Sequence, residues 1–233
     1  MKKPMLLLLF GVGAALLTPA VAQSADKNEP VQRLEEAAIV FEEIMGTPDK
    51  GIPQDLLDKS HCIVIVPNLK KAGFILGAKY GKGYLSCRQK DGSGWTAPGT
   101  IRIEGGSVGL QIGVSGTDVI MLVMNARGAN KLLSSKFTLG GEGEVAAGPV
   151  GRSATAQTDA AMRAEILSWS RSRGLFAGIS LQGATLRQDL DDNRTLYGKK
   201  IENKEVVQSG IAPPAAAAKL MSLLNKYSLK QNK

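Results

Sequence analysis

The stretch EGGSVGLQIGVSG, Glu104 to Gly116, contains G-x-S-x-G around Ser107, the spacing of a hydrolase nucleophile. A nucleophile elbow requires a strand, a strained turn at the serine, and then a helix whose N-terminus helps stabilise the oxyanion. After Ser107 the apolar residues Val108, Leu110, Ile112 and Val114 recur with period two, and Gly109, Gly113 and Gly116 disfavour a helix. The only histidine, His61, precedes Ser107, and the order His61, Asp91, Ser107 shares nothing further with the protease topology it mimics. The spacing therefore predicts a glycine-faced strand, with the glycines serving the backbone rather than a nucleophile.

Other chemistry fares no better. Neither G-x-x-x-x-G-K-[ST] nor G-x-G-x-x-G occurs, so no phosphate or dinucleotide loop is expected. His61 and Cys62 are neighbours that a strand would point to opposite faces. The carboxylate pairs Glu35-Glu36 and Asp191-Asp192 lie in polar contexts that read as solvent-facing. Two cysteines and one histidine cannot complete a four-ligand zinc site. The reading is a protein without catalytic residues, metal or cofactor.

Charge remains. Lys2 and Lys3 precede an apolar run from Met5 to Leu17 and the triplet Ala20-Val21-Ala22, the pattern of a secretory signal peptide cleaved after Ala22. The expected destination is the periplasm or the exterior. Removing residues 1–22 lowers the formal charge from +8 by the two lysines, leaving about +6 on a chain of one-domain length. Such an excess favours anionic partners, and export makes nucleic acid the least favoured of them. In an oxidising compartment Cys62 and Cys87 are candidates for a disulfide, with two buried thiols as the alternative.

The basic residues Lys70, Lys71, Lys79, Lys82 and Arg88 cluster in what reads as one hairpin region. A second group, Arg171, Arg173 and Arg187, flanks another hairpin. Edge lysines commonly protect strands, but a handful of cations also binds an anionic bilayer at about 1 kcal/mol each. The expected lipid-binding set is Lys70, Lys71, Lys79, Lys82 and Arg88, with Phe74 dipping into the interface.

These residues need positioning. Val31, Leu34, Ala38, Phe41 and Met45 recur at helical spacing before Gly46, and Pro53 to Lys59 reads as a second helix. Strands are expected at CIVIVP, at Phe74 to Tyr80 and Tyr84 to Arg88 around a Gly81-Lys82-Gly83 turn, and at Thr100 to Glu104 and Ser107 to Ser115. DVIMLVMN, apolar on both faces, reads as a central strand. A helix at Ala126 to Ser134 precedes strands at Arg152 to Gln157, Glu165 to Arg171 and Ala177 to Leu186. Pro213-Pro214 opens a final helix to about Tyr227. The fold class is α+β: a large curled, mostly antiparallel β-sheet or barrel-like sandwich with N-terminal, middle and C-terminal helices. The expected organisation is signal peptide 1–22, linker 23–30, a domain over 31–198, and a polar segment and helix over 199–233.

VIVPNLKKAGFILGAKYGKGYLSCR, GGSVGLQIGVSGTDVIMLVMN, LGGEGEVAAGPVGR and SRSRGLFAGISLQGATLRQDLDDNRTLYG together resemble the SYLF lipid-binding domain family, also described as an actin-regulator domain in fungi. The likeness runs from about Asp49 to Gly198. It implies phospholipid binding, of the phosphoinositide type in eukaryotic members, with bacterial members exported. The family's membrane-contacting helix is basic, whereas the corresponding helix here carries Glu35, Glu36, Glu42 and Glu43, and Gln182 stands where the family often has an acid. The expected function is a non-enzymatic phospholipid-binding protein of the bacterial cell envelope. The alternative is a protein-interaction module of the envelope.

Overall fold

The computed structural model describes residues 28–47, 51–73, 76–92, 94–108, 113–150, 164–172 and 175–228. Phe74, Arg173, the expected strand at Arg152 to Gln157 and the expected signal peptide lie outside the described residues.

Helices α1 (Glu29–Met45) and α2 (Gln54–Lys59) lead into strands β1 (Cys62–Gly73), β2 (Leu76–Cys87), β3 (Gly99–Val108) and β4 (Gly113–Val123). Helix α3 (Ala126–Leu132) follows, then β5 (Lys136–Thr138), β6 (Val145–Ala147), β7 (Ile166–Ser172), β8 (Leu175–Gly178) and β9 (Thr185–Gln188). Helices α4 (Leu190–Tyr197), α5 (Asn203–Gln208) and α6 (Ala218–Tyr227) close the described chain. The strands form one sheet in the order β5-β9-β3-β2-β1-β4-β7-β6, with β8 on β7, antiparallel except for β6 on β7.

The sheet is apolar on both faces, so it must be covered on both. Ile63 and Ile65 of β1, Ile120 and Leu122 of β4, and Leu167 and Trp169 of β7 pack beneath α1, α2 and α6. On the other face Val64, Val66, Met121 and Ile166 join Phe137 of β5 and Val145 of β6. Residues from both ends of the strand order thus share one core, because the sheet curls strongly into a half-barrel. Leu34, Ala38 and Phe41 of α1 are buried as its periodicity predicts, while Val31 remains 42% exposed. Helices α5 and α6, beyond the expected domain limit at 198, contribute Val207 and Leu224 to these same cores.

The structure corrects several expectations. Gly81-Lys82-Gly83 is not a turn: β2 runs straight through it, and the β1–β2 connection falls at residues 74–75. The glycines answer to the neighbouring strand, where β1 carries an irregularity between Ile65 and Lys70. A Cβ on Gly83 would lie 2.8 Å from the Val66 Cα and clash with the Ile65 carbonyl, and one on Gly81 would lie 2.9 Å from Leu69. Ser107 is an ordinary strand residue of β3 opposite Gly77, and the expected strand Ser107 to Ser115 is instead the end of β3 and the start of β4. The expected strand Ala177 to Leu186 is divided between β8 and β9. Helix α4, within RQDLDDNRTLYG, was not anticipated; Asp189 caps it by accepting from the Asp192 N–H, and Gly198 ends it at φ 72°.

Candidate functional site

The strand register places His61 and Ser107 at opposite ends of the sheet, so the order His61, Asp91, Ser107 is not brought together. His61 precedes the start of β1, whereas Ser107 is in register with Gly77 and through it with Gly73 at the far end. Eleven residues of strand separate the two ends, on the order of 35 Å. Among the described residues no three His, Cys, Asp or Glu side chains are grouped to hold a metal ion. Asp192 is buried rather than solvent-facing, which removes it from any pair with the exposed Asp191.

The structure divides the expected basic set between two ends of the sheet and a network midway. Lys71 and Lys79 are directly opposite on β1 and β2, flanked by Ser115 on β4 and Gly105 on β3. Directly opposed residues share a face, so the two ammonium groups are neighbours. Neither has an ion-pair partner among the described residues. Partial burial and the nearby Lys71 charge hold the Lys79 pKa below the ordinary lysine value. Lys70, opposite Tyr80, projects from the other face of the same strands; both are exposed, Tyr80 by 46%. A shallow groove of about 380 Å³ separates them from Glu29 and Glu36 of α1.

Lys82 is engaged elsewhere. Its Nζ lies 3.1 Å from Asp189 Oδ2 and 2.9 Å from Asp192 Oδ1, while Asp192 Oδ2 accepts from Arg33 of α1 at 2.7 Å. Burial alone would lower the Lys82 pKa, but the hydrogen bonds to Asp192 and Asp189 outweigh it and raise the pKa. The network fastens α1 and α4 to β2. Arg88 sits at the opposite end of β2, stacked 4.2 Å over the Trp95 ring and donating to the carbonyls of Leu57, Ser60 and Ser228.

One basic row had no signature in the sequence. Lys82, Arg102, Arg187 and Lys136 are register partners across β2, β3, β9 and β5. Glu104 bridges Arg102 and Arg187 at 2.7 and 3.2 Å, and the exposed Lys136 has no ion-pair partner among the described residues. Because Lys70 and Tyr80 occupy the neighbouring rows, this face carries more positive charge than the β1–β2 sequence suggests. Only the alternation of Arg102 with buried Ile101 and Ile103 hinted at it.

Cys62 and Cys87, register partners at a Cα–Cα distance of 3.9 Å, are joined by a disulfide of 2.05 Å. It lies at the Arg88 end of the sheet.

Residues 104–227 match the family described as Ysc84, Las17-binding protein actin regulator. The chain belongs to the Ysc84 family. It is 36% identical over 180 residues to LAS seventeen-binding protein 3 of Saccharomyces cerevisiae, which covers 76% of this chain and 39% of the yeast protein. It is 33% identical to human SH3 domain-containing YSC84-like protein 1 over 78% of this chain and 53% of the human one. An SH3 domain-containing protein of Schizosaccharomyces pombe is 37% identical over 78% of this chain and 43% of its own length. The chain thus spans about half or less of these curated relatives. The name of the budding-yeast relative denotes binding to LAS seventeen, and the family description adds actin regulation. The family model's match begins at Glu104, whereas the stretches aligned with the relatives, 76–78% of this chain, are long enough to include the Lys71–Lys79 hairpin.

Proposed function

We propose that this Ysc84-family chain is a non-enzymatic protein of the cell envelope that docks on anionic phospholipid headgroups. The Lys71–Lys79 pair at the open end of β1 and β2 provides the contact, with Lys70 reaching the same end from the other face of these strands. The observation that carries the reading is the Lys71–Lys79 pair. Like charges directly opposite on a sheet destabilise it, and no carboxylate among the described residues compensates them. An external anion would. The N-terminal Lys2-Lys3 and apolar run support export, and a disulfide between the only two cysteines accords with an oxidising compartment. Phe74, which lies between Lys71 and Lys79 in sequence, is the apolar side chain this reading assigns to the interface.

The family description and the yeast relative's name favour a second reading, a protein partner, which on these lysines would be acidic. Co-sedimentation of the chain lacking residues 1–22 with phosphatidylglycerol or phosphatidylcholine vesicles separates the two. Binding confined to the anionic vesicles and weakened by salt is expected. Reversing Lys70, Lys71 and Lys79 to Glu removes about 1 kcal/mol per cation, so partitioning should fall at least about 100-fold. Unchanged partitioning and salt dependence in that variant would defeat the lipid site, and lysine-dependent capture of an acidic protein without vesicle binding would favour the second reading.

A further inference from the structure

At the opposite end of β1 and β2 from Lys71 and Lys79 lies a cleft of about 1090 Å³ between α2, α3, α5 and the Gln89–Ala97 turn. Ala97, Ala129, Leu133, Val206, Val207 and Ile211 give it apolar walls, and the Cys62–Cys87 disulfide lines it. Its volume is that of a site for a small organic ligand.

In this cleft Arg88 lacks a counter-charge and Trp95 lacks an acceptor among the described residues. Arg88 is half-buried, yet its hydrogen bonds run to backbone carbonyls and the Ser228 hydroxyl, and no carboxylate among the described residues lies within ion-pair distance. Burial holds its pKa below the ordinary arginine value, and the more distant Asp58 offsets this only in part. The Asp58 carboxylate itself accepts from Ser228 Oγ at 2.9 Å and from Gln54 at 3.0 Å. Trp95, on which Arg88 stacks, is 2% exposed, and its indole Nε1–H has no acceptor among the described residues. A buried N–H without an acceptor costs about 1–3 kcal/mol, and a buried cation paired only with neutral groups attracts an anion. Lys59 and Lys90 line the cleft together with Asp58 and Asp91, and Lys59 is paired with Asp55 at 3.7 Å.

We propose that this cleft binds an aliphatic carboxylate, its anionic head held by Arg88 and the Trp95 N–H and its chain lying on the α3 and α5 walls. This site is separate from the lysine hairpin and independent of the vesicle-docking function. The apolar walls favour a chain over a bare anion such as acetate, and the donors favour a carboxylate over an uncharged head of equal chain length.

Trp95 reports occupancy directly. In a Trp169→Phe background it is the only indole, and its emission is followed while laurate or dodecyl maltoside is added below the micellar range, without vesicles. Saturable one-to-one binding of laurate is expected, at least tenfold tighter than that of the maltoside. Ala129→Phe, which fills the cleft from α3, should weaken laurate at least tenfold while leaving the melting temperature within a few degrees. The Lys70, Lys71 and Lys79 charge-reversal protein should bind laurate like the parent. Equal affinity for the two amphiphiles, indifference to Ala129→Phe, or no response to millimolar laurate would each overturn the proposal. Failure of vesicle binding alone would leave it intact.

Discussion

Replacing Lys82 with Met tests whether this lysine serves the fold or the surface. Its ammonium holds Asp189 and Asp192 at 3.1 and 2.9 Å, and the Asp189 side chain is only 3% exposed. Without Lys82, Asp189 Oδ2 has no other partner among the described residues, while Asp192 keeps Arg33. Removing one member of a fully buried pair costs about 3–5 kcal/mol. Because the Lys82 side chain is 22% exposed and water screens the loss, we expect about 2–3 kcal/mol. For a chain of this size that lowers Tm by about 4–12 °C. Asp189→Asn retains the Oδ1 that caps α4 but removes the charge, so the double variant Lys82→Met, Asp189→Asn should recover part of the loss. Thermal denaturation of the four proteins of this cycle, paired with vesicle co-sedimentation, is the assay. Because the folded-state pKa of Lys82 is raised, its contribution is complete at neutral pH and is lost only as pH rises through that value. An unchanged Tm, or lost vesicle binding at an unchanged Tm, would refute the structural role and return Lys82 to the lipid contact.

Three other substitutions or conditions bear on the fold and the site. Gly83→Ala drives a Cβ against the Ile65 carbonyl and Val66, so a loss of about 3 kcal/mol or insoluble expression is expected; a Tm within 2 °C of the parent would contradict the close strand approach. Reducing the Cys62–Cys87 disulfide frees a loop with a sequence separation of 25, for which chain entropy gives about 3.5 kcal/mol; calorimetry with and without reductant should show a Tm fall of about 7–14 °C. The lowered Lys79 pKa means that its charge is lost at a lower pH than an ordinary lysine's, so anionic-vesicle binding should weaken as the pH rises towards the ordinary lysine range. Lys79→Arg, which stays protonated, should shift that decline to higher pH, and superimposable pH profiles would exclude Lys79 from the contact.

The sequence by itself determined the elements whose signals are local. The helical spacing of Leu34, Ala38 and Phe41 is enough to place α1. The unbroken apolar run in DVIMLVMN is enough to place β4 between two other strands, since only a strand covered on both faces accommodates it. The family too was legible, because its long motifs stand in order. Local signals failed at Gly81-Lys82-Gly83. Two glycines flanking a lysine have the composition of a turn, yet they are small here because β1 crosses close by, and a contact between distant segments leaves no periodicity in either one. The same limit applies to the charges. Lys70, Lys82 and Arg88 are close in sequence, but a strand rises about 3.3 Å per residue, so that one β-hairpin spreads them between an open end, an ion-pair network and a cleft. Conversely Arg102, Lys136 and Arg187, far apart along the chain, become neighbours only when β3, β9 and β5 pair. Which cations remain available to a partner depends on where each carboxylate comes to lie, and only the folded sheet decides that.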